Sequence, residues 1–293
     1  MRNAELNSEI RNPKSEFERG GMTSTTRKKI WTAIGFVPPV IFFIVVGPPF
    51  ILTLMVLLAT FLGLREFYNL TLPRSGWIEK SVGVGLGLLL SIVIIQGNMK
   101  MIFPFFVFLL LLLSIFFMGT SENLETTVSH MGIMFFGIFY IGFLLSHVSL
   151  IQNMANGKRW VLFLILTVWA GDVSAFLFGS LFGRHKLYPK ISPKKTYEGL
   201  AGGMVGSVIV ALAYALLFIP QLKTGLCILL AIGLGVLGQL GDFTESMLKR
   251  GAQVKDSGSL IPGHGGMLDR LDSFLFSAPF LHYSLLFLMK EPS

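Results

Sequence analysis

The sequence contains little charge and almost no cysteine for its length. Only 14% of its 293 residues are charged, and 53% are hydrophobic. A soluble domain carries about 25% charged residues. The single cysteine, Cys227, excludes an intramolecular disulfide framework and a cysteine-ligated metal site. None of the Walker A, HExxH or GxSxG motifs is present. The shortage of charge, together with the high hydrophobic content, indicates a chain that lies largely in a membrane.

Long apolar runs predict an all-α, polytopic integral membrane helical bundle, because about 20 mainly apolar residues cross a bilayer as a helix. The first apolar block is too long for one span, and Gly47-Pro48 is expected to split it. About nine transmembrane helices are predicted, with eight or ten left open. The predicted spans are 30–47, 49–64, 81–97, 101–118, 129–150, 160–182, 199–219, 224–241 and 271–289.

The chain divides by composition into a leader and two membrane regions. Residues 1–29 are polar and are predicted to form a disordered cytoplasmic leader, in which Met22 is a second candidate start. Residues 30–159 are predicted to form the N-terminal transmembrane helices, and residues 160–293 are predicted to form the C-terminal transmembrane region, in which any catalytic residues are expected. A cleavable signal peptide is not expected, because the first apolar run follows a polar leader and is followed directly by another span.

The distribution of Lys and Arg predicts the orientation. With nine spans, 19 of the 24 basic residues fall on the N-terminal side of the membrane and five fall on the other side. Cytoplasmic loops carry the excess of Lys and Arg, so the N-terminus is predicted to be cytoplasmic. The net charge of +8 is therefore interpreted as an orientation signal, and no nucleic-acid partner is expected. In a bacterium the location would be the plasma (inner) membrane, with the polar site facing the cytoplasm.

Acidic residues beyond position 130 concentrate in three segments, 169–184, 191–203 and 241–272, with Glu291 as the exception. Asp172 lies within a predicted span, where an ionisable group is costly and is by default a functional candidate. In the third segment Asp242, Glu245 and Lys249 share one helix face by their spacing. The loop that follows is rich in glycine. We expect a polar cavity, open to the cytoplasm, between the last three spans and the sixth.

The residue types in these segments favour phosphate chemistry. Carboxylates that converge without a histidine or cysteine cluster favour Mg²⁺ or a similar hard cation, and Lys and Arg suit phosphate oxygens. This combination is typical of phosphoryl or nucleotidyl transfer. A simpler interpretation remains for several residues. Lys249 and Arg250 could be topology anchors, His264 a loop histidine, and Arg65-Glu66 a local pair at a span end.

Small residues recur every four positions in two spans. Gly171, Ala175, Gly179 and Gly183 form one series, and Gly199 with Gly203 forms part of another. This small-xxx-small pattern allows helices to approach closely. It predicts tight packing next to the polar cavity.

The segment SMLKRGAQVKDSGSLIPGHGGMLDRLD, residues 246–272, resembles the signature of the phosphatidate cytidylyltransferases, also called CDP-diacylglycerol synthases. Every fixed position of that pattern is filled. The segment SPKKTYEG, residues 192–199, and Asp172 with its neighbouring glycines are also similar to that family. The resemblance is strong over about 160–290, whereas the first five spans match only as generic apolar helices.

The resemblance implies an enzyme that transfers the cytidylyl group of CTP to phosphatidate, giving CDP-diacylglycerol and pyrophosphate in phospholipid biosynthesis. It implies a Mg²⁺-dependent nucleotidyltransferase in contact with the lipid bilayer, with a second cation and a homodimer left open. The metal ligands implied are Asp242 and Asp269, then Asp172, Asp256 and Asp272. The catalytic residues implied are Asp242, Asp269, Lys249, Arg250, Asp256, His264 and Arg270. The substrate-binding residues implied are Lys194, Lys195, Glu198, Lys255 and Ser246.

Two alternatives stay open at this point. One is a CTP-dependent enzyme that acts on a different lipid phosphate or on a lipid alcohol. The other is an ion-coupled membrane transporter, in which Asp172 and broken helices would carry a cation. The clustering of charge at one face of the membrane, rather than at the midplane of two related halves, argues against the transporter.

Overall fold

A computed structural model of the protein describes residues 38–120, 123–258 and 265–289. Within these residues, eight helices are long and apolar enough to cross a membrane by length and composition. They are α1 (Pro49–Thr71), α2 (Trp77–Ile95), α3 (Met99–Thr120), α4 (Leu124–Gln152), α5 (Gly157–Phe182), α6 (Tyr197–Phe218), α7 (Thr224–Gly251) and α8 (Leu268–Met289).

The all-α membrane bundle is confirmed, and the eight helices coincide with the second to ninth predicted spans. Of the first predicted span, residues 38–46 are helical and residues 30–37 lie outside the described residues, as does the leader 1–29. The count of nine and the cytoplasmic N-terminus therefore stay predictions. The division at residue 159/160 likewise stays a prediction.

The predicted break at Gly47-Pro48 is confirmed. The helix over residues 38–46 ends there and α1 begins at Pro49. Lys158, at the start of α5, donates from Nζ to the carbonyl oxygens of Val45 at 2.9 Å and Gly47 at 2.8 Å. These two acceptors lie at a helix end where carbonyl groups lack intrahelical partners. The contact fixes the break against the rest of the bundle.

Two features differ from the predicted spans. Helix α7 continues ten residues beyond its predicted end at residue 241, through the charged segment to Gly251. A short antiparallel hairpin, β1 (Lys186–Tyr188) and β2 (Ser192–Thr196), occupies the loop between α5 and α6. The side chain of Thr196 accepts a hydrogen bond from the Gly199 amide at 3.1 Å and so caps α6. The hairpin therefore feeds directly into the first turn of α6.

Helix α4 contains a π-helical segment, Ile138–Phe143, in its middle. The neighbouring helices contact α4 just before that segment and within it. Tyr68 in α1 donates its hydroxyl to the Met134 carbonyl at 2.9 Å, and Ser91 in α2 donates to the Gly142 carbonyl at 2.8 Å. The widened turn therefore sits at a fixed place against α1 and α2.

Small residues bring the helices of the C-terminal half close together. Helices α5 and α6 form the largest helix–helix contact in the bundle. A Cβ atom on Gly203 in α6 would lie 3.0 Å from both the Gly171 carbonyl oxygen and Ala175 Cβ in α5. Gly241 in α7 is more tightly confined, because a Cβ atom there would collide with the Asp272 carbonyl oxygen of α8. The contact at Gly203 agrees with the small-xxx-small pattern, and the contact at Gly241 brings the acidic segments of α7 and α8 together.

Helix α8 connects the two halves of the bundle. It packs against α7, α4, α5 and α1. Helix α3 packs only on α2 and α4 among the larger contacts, and its apolar side chains such as Phe103, Ile115 and Met118 are exposed. An outward apolar surface of this kind fits contact with lipid.

We predict that the hairpin faces the cytoplasm and that the loop between α6 and α7 faces the opposite side. The basis is the asymmetry of Lys and Arg between loops. In a Cys227→Ser background, Ser192→Cys and Gln221→Cys should react with a membrane-impermeant thiol reagent from opposite sides of sealed vesicles. Labelling of both positions from one side would contradict the predicted topology.

Candidate functional site

Three carboxylates converge where α7 meets α8. One oxygen atom each from Asp242, Glu245 and Asp272 lies within 4.8 Å of the other two. We call these residues the acidic triad. Asp242 and Glu245 occupy successive turns of one face of α7, and the close approach at Gly241 brings Asp272 of α8 to that face. Glu245 is fully buried. Three carboxylate oxygens from a partly buried acidic cluster suit a hard divalent cation.

Asp172 reaches the same region from α5. Its Oδ1 atom accepts a hydrogen bond from Gln239 Nε2 in α7 at 3.3 Å, and it interacts with Ser273 in α8. Its carboxylate is also close enough to those of Asp242 and Asp272 for their negative charges to repel one another. Three helices therefore contribute carboxylates to one place.

Lys195 supplies positive charge from the hairpin. Its Nζ atom lies 2.7 Å from Asp242 Oδ2 and 4.1 Å from the centre of the Phe243 ring. The hairpin thus holds the Lys195 ammonium group against Asp242 of the acidic triad. Because the side chain is held by a carboxylate and an aromatic face together, its ammonium group is directed at the site rather than at bulk solvent.

Lys249 lies between Glu245 of the acidic triad and Asp269. Its Nζ atom forms an ion pair with Glu245 one turn earlier and a second ion pair with Asp269 Oδ1 at 2.6 Å. The Lys249 side chain is only 12% exposed, so both pairs are largely removed from water. A buried carboxylate such as Glu245 needs a partner of this kind.

Asp269 is the anchor of the segment that precedes α8. Its Oδ2 atom accepts hydrogen bonds from the Ser257 amide at 3.0 Å, the Ser257 hydroxyl at 3.0 Å and the Gly266 amide at 2.8 Å. With Lys249 on Oδ1, both carboxylate oxygens already have partners. Asp269 therefore joins the loop after α7 to the start of α8, and it is not part of the acidic triad. Its assignment as a metal ligand stays a prediction.

Glu66 of α1 reaches the same loop from the N-terminal half. Its Oε2 atom accepts hydrogen bonds from the Ser257 hydroxyl at 3.2 Å and from the Leu268 amide at 2.9 Å. The Leu268 amide belongs to the first turn of α8, where backbone donors lack intrahelical partners. Glu66, interpreted from the sequence as one member of a local pair, is thus an acceptor for the loop next to the site.

The other site residues predicted from the sequence differ in their contacts and in their exposure. Ser246 donates its hydroxyl to Asp242 Oδ1 at 3.3 Å. Arg250 donates to the Ile191 carbonyl at 3.3 Å, so it connects α7 to the hairpin. Glu198 pairs with His185, and the distance between Glu198 Oε1 and His185 Nδ1 is 2.6 Å. The exposed residues of the set are Lys194, Arg250, Lys255, Asp256 and Arg270. His264 lies outside the described residues, and its role stays a prediction.

An open cleft of about 1010 Å³ lies on the α1 and α4 side of α7. Apolar side chains, among them Phe67 and Ile133, line one part of it, and Arg74 and His130 line another. Leu248, next to Lys249, forms part of its wall. The cleft therefore combines apolar and polar surface close to the acidic centre.

Glu245 is the one triad member absent from the metal ligands predicted from the sequence. The helical spacing had placed it on the face of Asp242 and Lys249, so the signal was present. Its complete burial beside Asp272 depends on which helix packs there, and spacing within one helix does not reveal that.

The sequence pattern of the cytidylyltransferase family matches residues 27–288 of the chain. Proteins named phosphatidate cytidylyltransferase are also similar to it. The Staphylococcus saprophyticus protein is 44% identical over 149 residues, which is 51% of this chain and 56% of that protein. The Bacillus subtilis protein is 40% identical over 160 residues, or 54% of this chain and 60% of that protein. The aligned region spans little more than half the length of these curated relatives.

We predict that Glu66→Ala loosens the loop without unfolding the bundle. The change leaves the Leu268 amide without its acceptor, at a cost of about 1–3 kcal/mol for an unsatisfied buried group, and it leaves the Ser257 hydroxyl with Asp269 Oδ2 as its acceptor. Hydrogen exchange measured by mass spectrometry should show faster exchange in peptides that contain residues 252–258 and 265–270. Glu66→Gln keeps an acceptor oxygen and should have a smaller effect.

The matched control is Glu125→Ala, because Glu125 is an exposed acidic residue at the start of α4. Its exchange pattern in the loop should equal that of the unmodified chain. Unchanged protection of the loop in Glu66→Ala would show that Glu66 does not hold it.

Proposed function

Because the chain belongs to the cytidylyltransferase family, we propose that it transfers the cytidylyl group of CTP to phosphatidate and releases pyrophosphate. The product is CDP-diacylglycerol. The observation that carries this proposal is the acidic triad at the ends of two membrane helices, with Lys195 and Lys249 directly against it. Relatives named phosphatidate cytidylyltransferase support the choice of both substrates.

The residues present fit a divalent cation, and we propose Mg²⁺. Carboxylate oxygens are the ligands that this ion prefers, and three of them lie within 4.8 Å of one another in the acidic triad. Asp172 is a fourth carboxylate close by. A bound Mg²⁺ would supply charge neutralisation for the phosphate oxygens and for the departing pyrophosphate.

The reaction is a displacement at phosphorus. A phosphate oxygen of phosphatidate forms a bond to the α-phosphorus of CTP, and the bond from that phosphorus to the oxygen leading to the β-phosphate breaks. The attacking phosphate is already anionic at neutral pH, so no side chain has to remove a proton from it. The protein therefore has to orient two anionic substrates and to neutralise their charge.

Lys195 and Lys249 are suited to that work. Each is paired with carboxylates at the edge of the acidic triad, and each can direct its ammonium group to a phosphate oxygen instead. Arg250 and Lys194 are exposed on the same side and are suited to the β- and γ-phosphates of CTP. The location of these residues at membrane-helix ends fits one substrate from the cytoplasm and one from the lipid.

We further propose that the site faces the cytoplasm of a bacterial inner membrane. CTP is a cytoplasmic metabolite, and the basic loops that the charge asymmetry assigns to that side belong to the same end of the bundle. The cleft beside α7 has the mixed apolar and polar lining that a lipid with a charged headgroup requires.

We predict that the purified protein in lipid forms a CDP-lipid and pyrophosphate from labelled CTP and phosphatidate. Chelation of divalent cations should stop the reaction, and added Mg²⁺ should restore it. Diacylglycerol in place of phosphatidate should give no product, because it lacks the attacking phosphate. A labelled CDP-lipid that forms equally well with the chelator present would contradict the cation site.

We predict that Asp272→Asn lowers kcat about 100-fold or more, because it removes a negatively charged oxygen ligand from the acidic triad. Glu125→Gln makes the same chemical change at an exposed position of α4 and should leave kcat unchanged. Comparable rates for Asp272→Asn and the unmodified protein at saturating Mg²⁺ would exclude Asp272 as a ligand.

A further inference from the structure

The hydroxyl group of Tyr140 is buried without a hydrogen-bond partner among the described residues. The side chain is 3% exposed. A buried hydroxyl that makes no hydrogen bond weakens the folded state, and such groups are rare in native proteins. A phenol hydroxyl can donate one hydrogen bond, so Tyr140 is a candidate donor for an acceptor close to it.

Tyr140 lies beside the acidic triad. Its ring contacts Phe276, which lies one turn after Asp272 in α8, and it is close enough to the carboxylates of Asp272, Glu245 and Asp242 to feel their charge. It comes from α4, a helix of the N-terminal half, whereas the triad comes from α7 and α8. The Tyr140 hydroxyl is thus contributed by a separate helix to the region of the acidic triad.

The chain holds this tyrosine in a fixed position. Tyr140 is the third residue of the π-helical segment Ile138–Phe143. Its ring stacks on Phe136 of the preceding turn, with centroids 5.0 Å apart, and meets the edge of Phe276 in α8 at 6.1 Å. Single π-helical turns inside α-helices are frequent at functional sites. Here the widened turn and the two aromatic contacts restrict where the hydroxyl can point.

We propose that Tyr140 is a positioning residue of the cation site, with its hydroxyl donating a hydrogen bond to a triad carboxylate, foremost Asp272, when a divalent cation is bound. A carboxylate that binds a cation keeps further lone pairs, and a donor on one of them fixes its orientation. A phenol performs this role without the positive charge that would repel the cation. The catalytic consequence of this inference rests on the proposed function, whereas its effect on cation binding does not.

Tyr68 provides a matched comparison within the same chain. It is also fully buried, but its hydroxyl donates to the Met134 carbonyl at 2.9 Å. Tyr68→Phe removes a hydrogen bond that is present without any cation, so it should lower the thermal unfolding midpoint and leave cation affinity unchanged. Tyr140→Phe removes a hydroxyl without a partner among the described residues, so it should leave the midpoint unchanged or raise it.

The test is thermal unfolding of the purified full chain in lipid or detergent over a range of Mg²⁺ concentrations, with Mn²⁺ as a second probe. For Tyr140→Phe we expect the cation concentration that gives half of the stabilisation to rise about tenfold, the size expected for a hydrogen bond to a charged acceptor. Tyr68→Phe should match the unmodified protein in that concentration. Tyr140→Met, which also lacks the hydroxyl, serves if the first variant does not fold.

Superimposable cation titrations for Tyr140→Phe and the unmodified protein would overturn the inference, as would the absence of any stabilisation by Mg²⁺ or Mn²⁺ in the unmodified protein. The CTP assay separates the two proposals. Cation binding that depends on Tyr140 in a protein that forms no CDP-lipid would refute the proposed function alone. An active protein whose Mg²⁺ dependence is unchanged by Tyr140→Phe would refute the role of Tyr140 alone.

Discussion

The close contact between α7 and α8 places like charges together in a largely buried position, and much of the site follows from that constraint. Two unit charges about 4 Å apart repel each other by about 4 kcal/mol at an effective dielectric constant of about 20. Gly241 permits the contact, because any side chain there would collide with the backbone at Asp272. Three ionised carboxylates within 4.8 Å are stabilised by positive charge beside them.

The surrounding chain supplies that positive charge from separate elements. Lys249 comes from α7 itself, and Lys195 comes from a hairpin that α6 and α5 hold in place. Asp269 then uses Lys249 and three donors of the neighbouring loop, so the same lysine that offsets the acidic triad also fixes the chain before α8. Glu66 extends this network into α1. Charge compensation and loop structure are therefore one network rather than two.

The sequence predicted the parts of this structure that depend on local chemistry. Apolar length and the Gly47-Pro48 break predicted the helices, and spacing placed Asp242, Glu245 and Lys249 on one face. Contacts between distant segments could not be predicted from the sequence. Nothing in the order of residues around Glu66 indicates that its acceptor oxygens meet Leu268, 202 positions later. The position of the Tyr140 hydroxyl depends on a π-helical turn within an apolar run. Hydropathy carries no information about backbone geometry, so the sequence pattern did not indicate that turn. The hairpin is too short for a pattern of alternation to reveal it.

The basic residues show why orientation and chemistry cannot be separated by counting charges. Lys194, Lys195, Lys249 and Lys255 all contribute equally to the asymmetry that predicts topology. Their surroundings differ, however. Lys195 and Lys249 are drawn against the acidic triad, whereas Lys194 and Lys255 are exposed. A membrane-anchoring lysine gains by remaining in contact with water and lipid headgroups, whereas a lysine held among buried carboxylates loses hydration and is compensated only by those carboxylates or by a substrate phosphate. Burial beside opposite charge therefore separates Lys195 and Lys249, which the acidic triad holds in place, from lysines that a count of charges treats as equivalent to them.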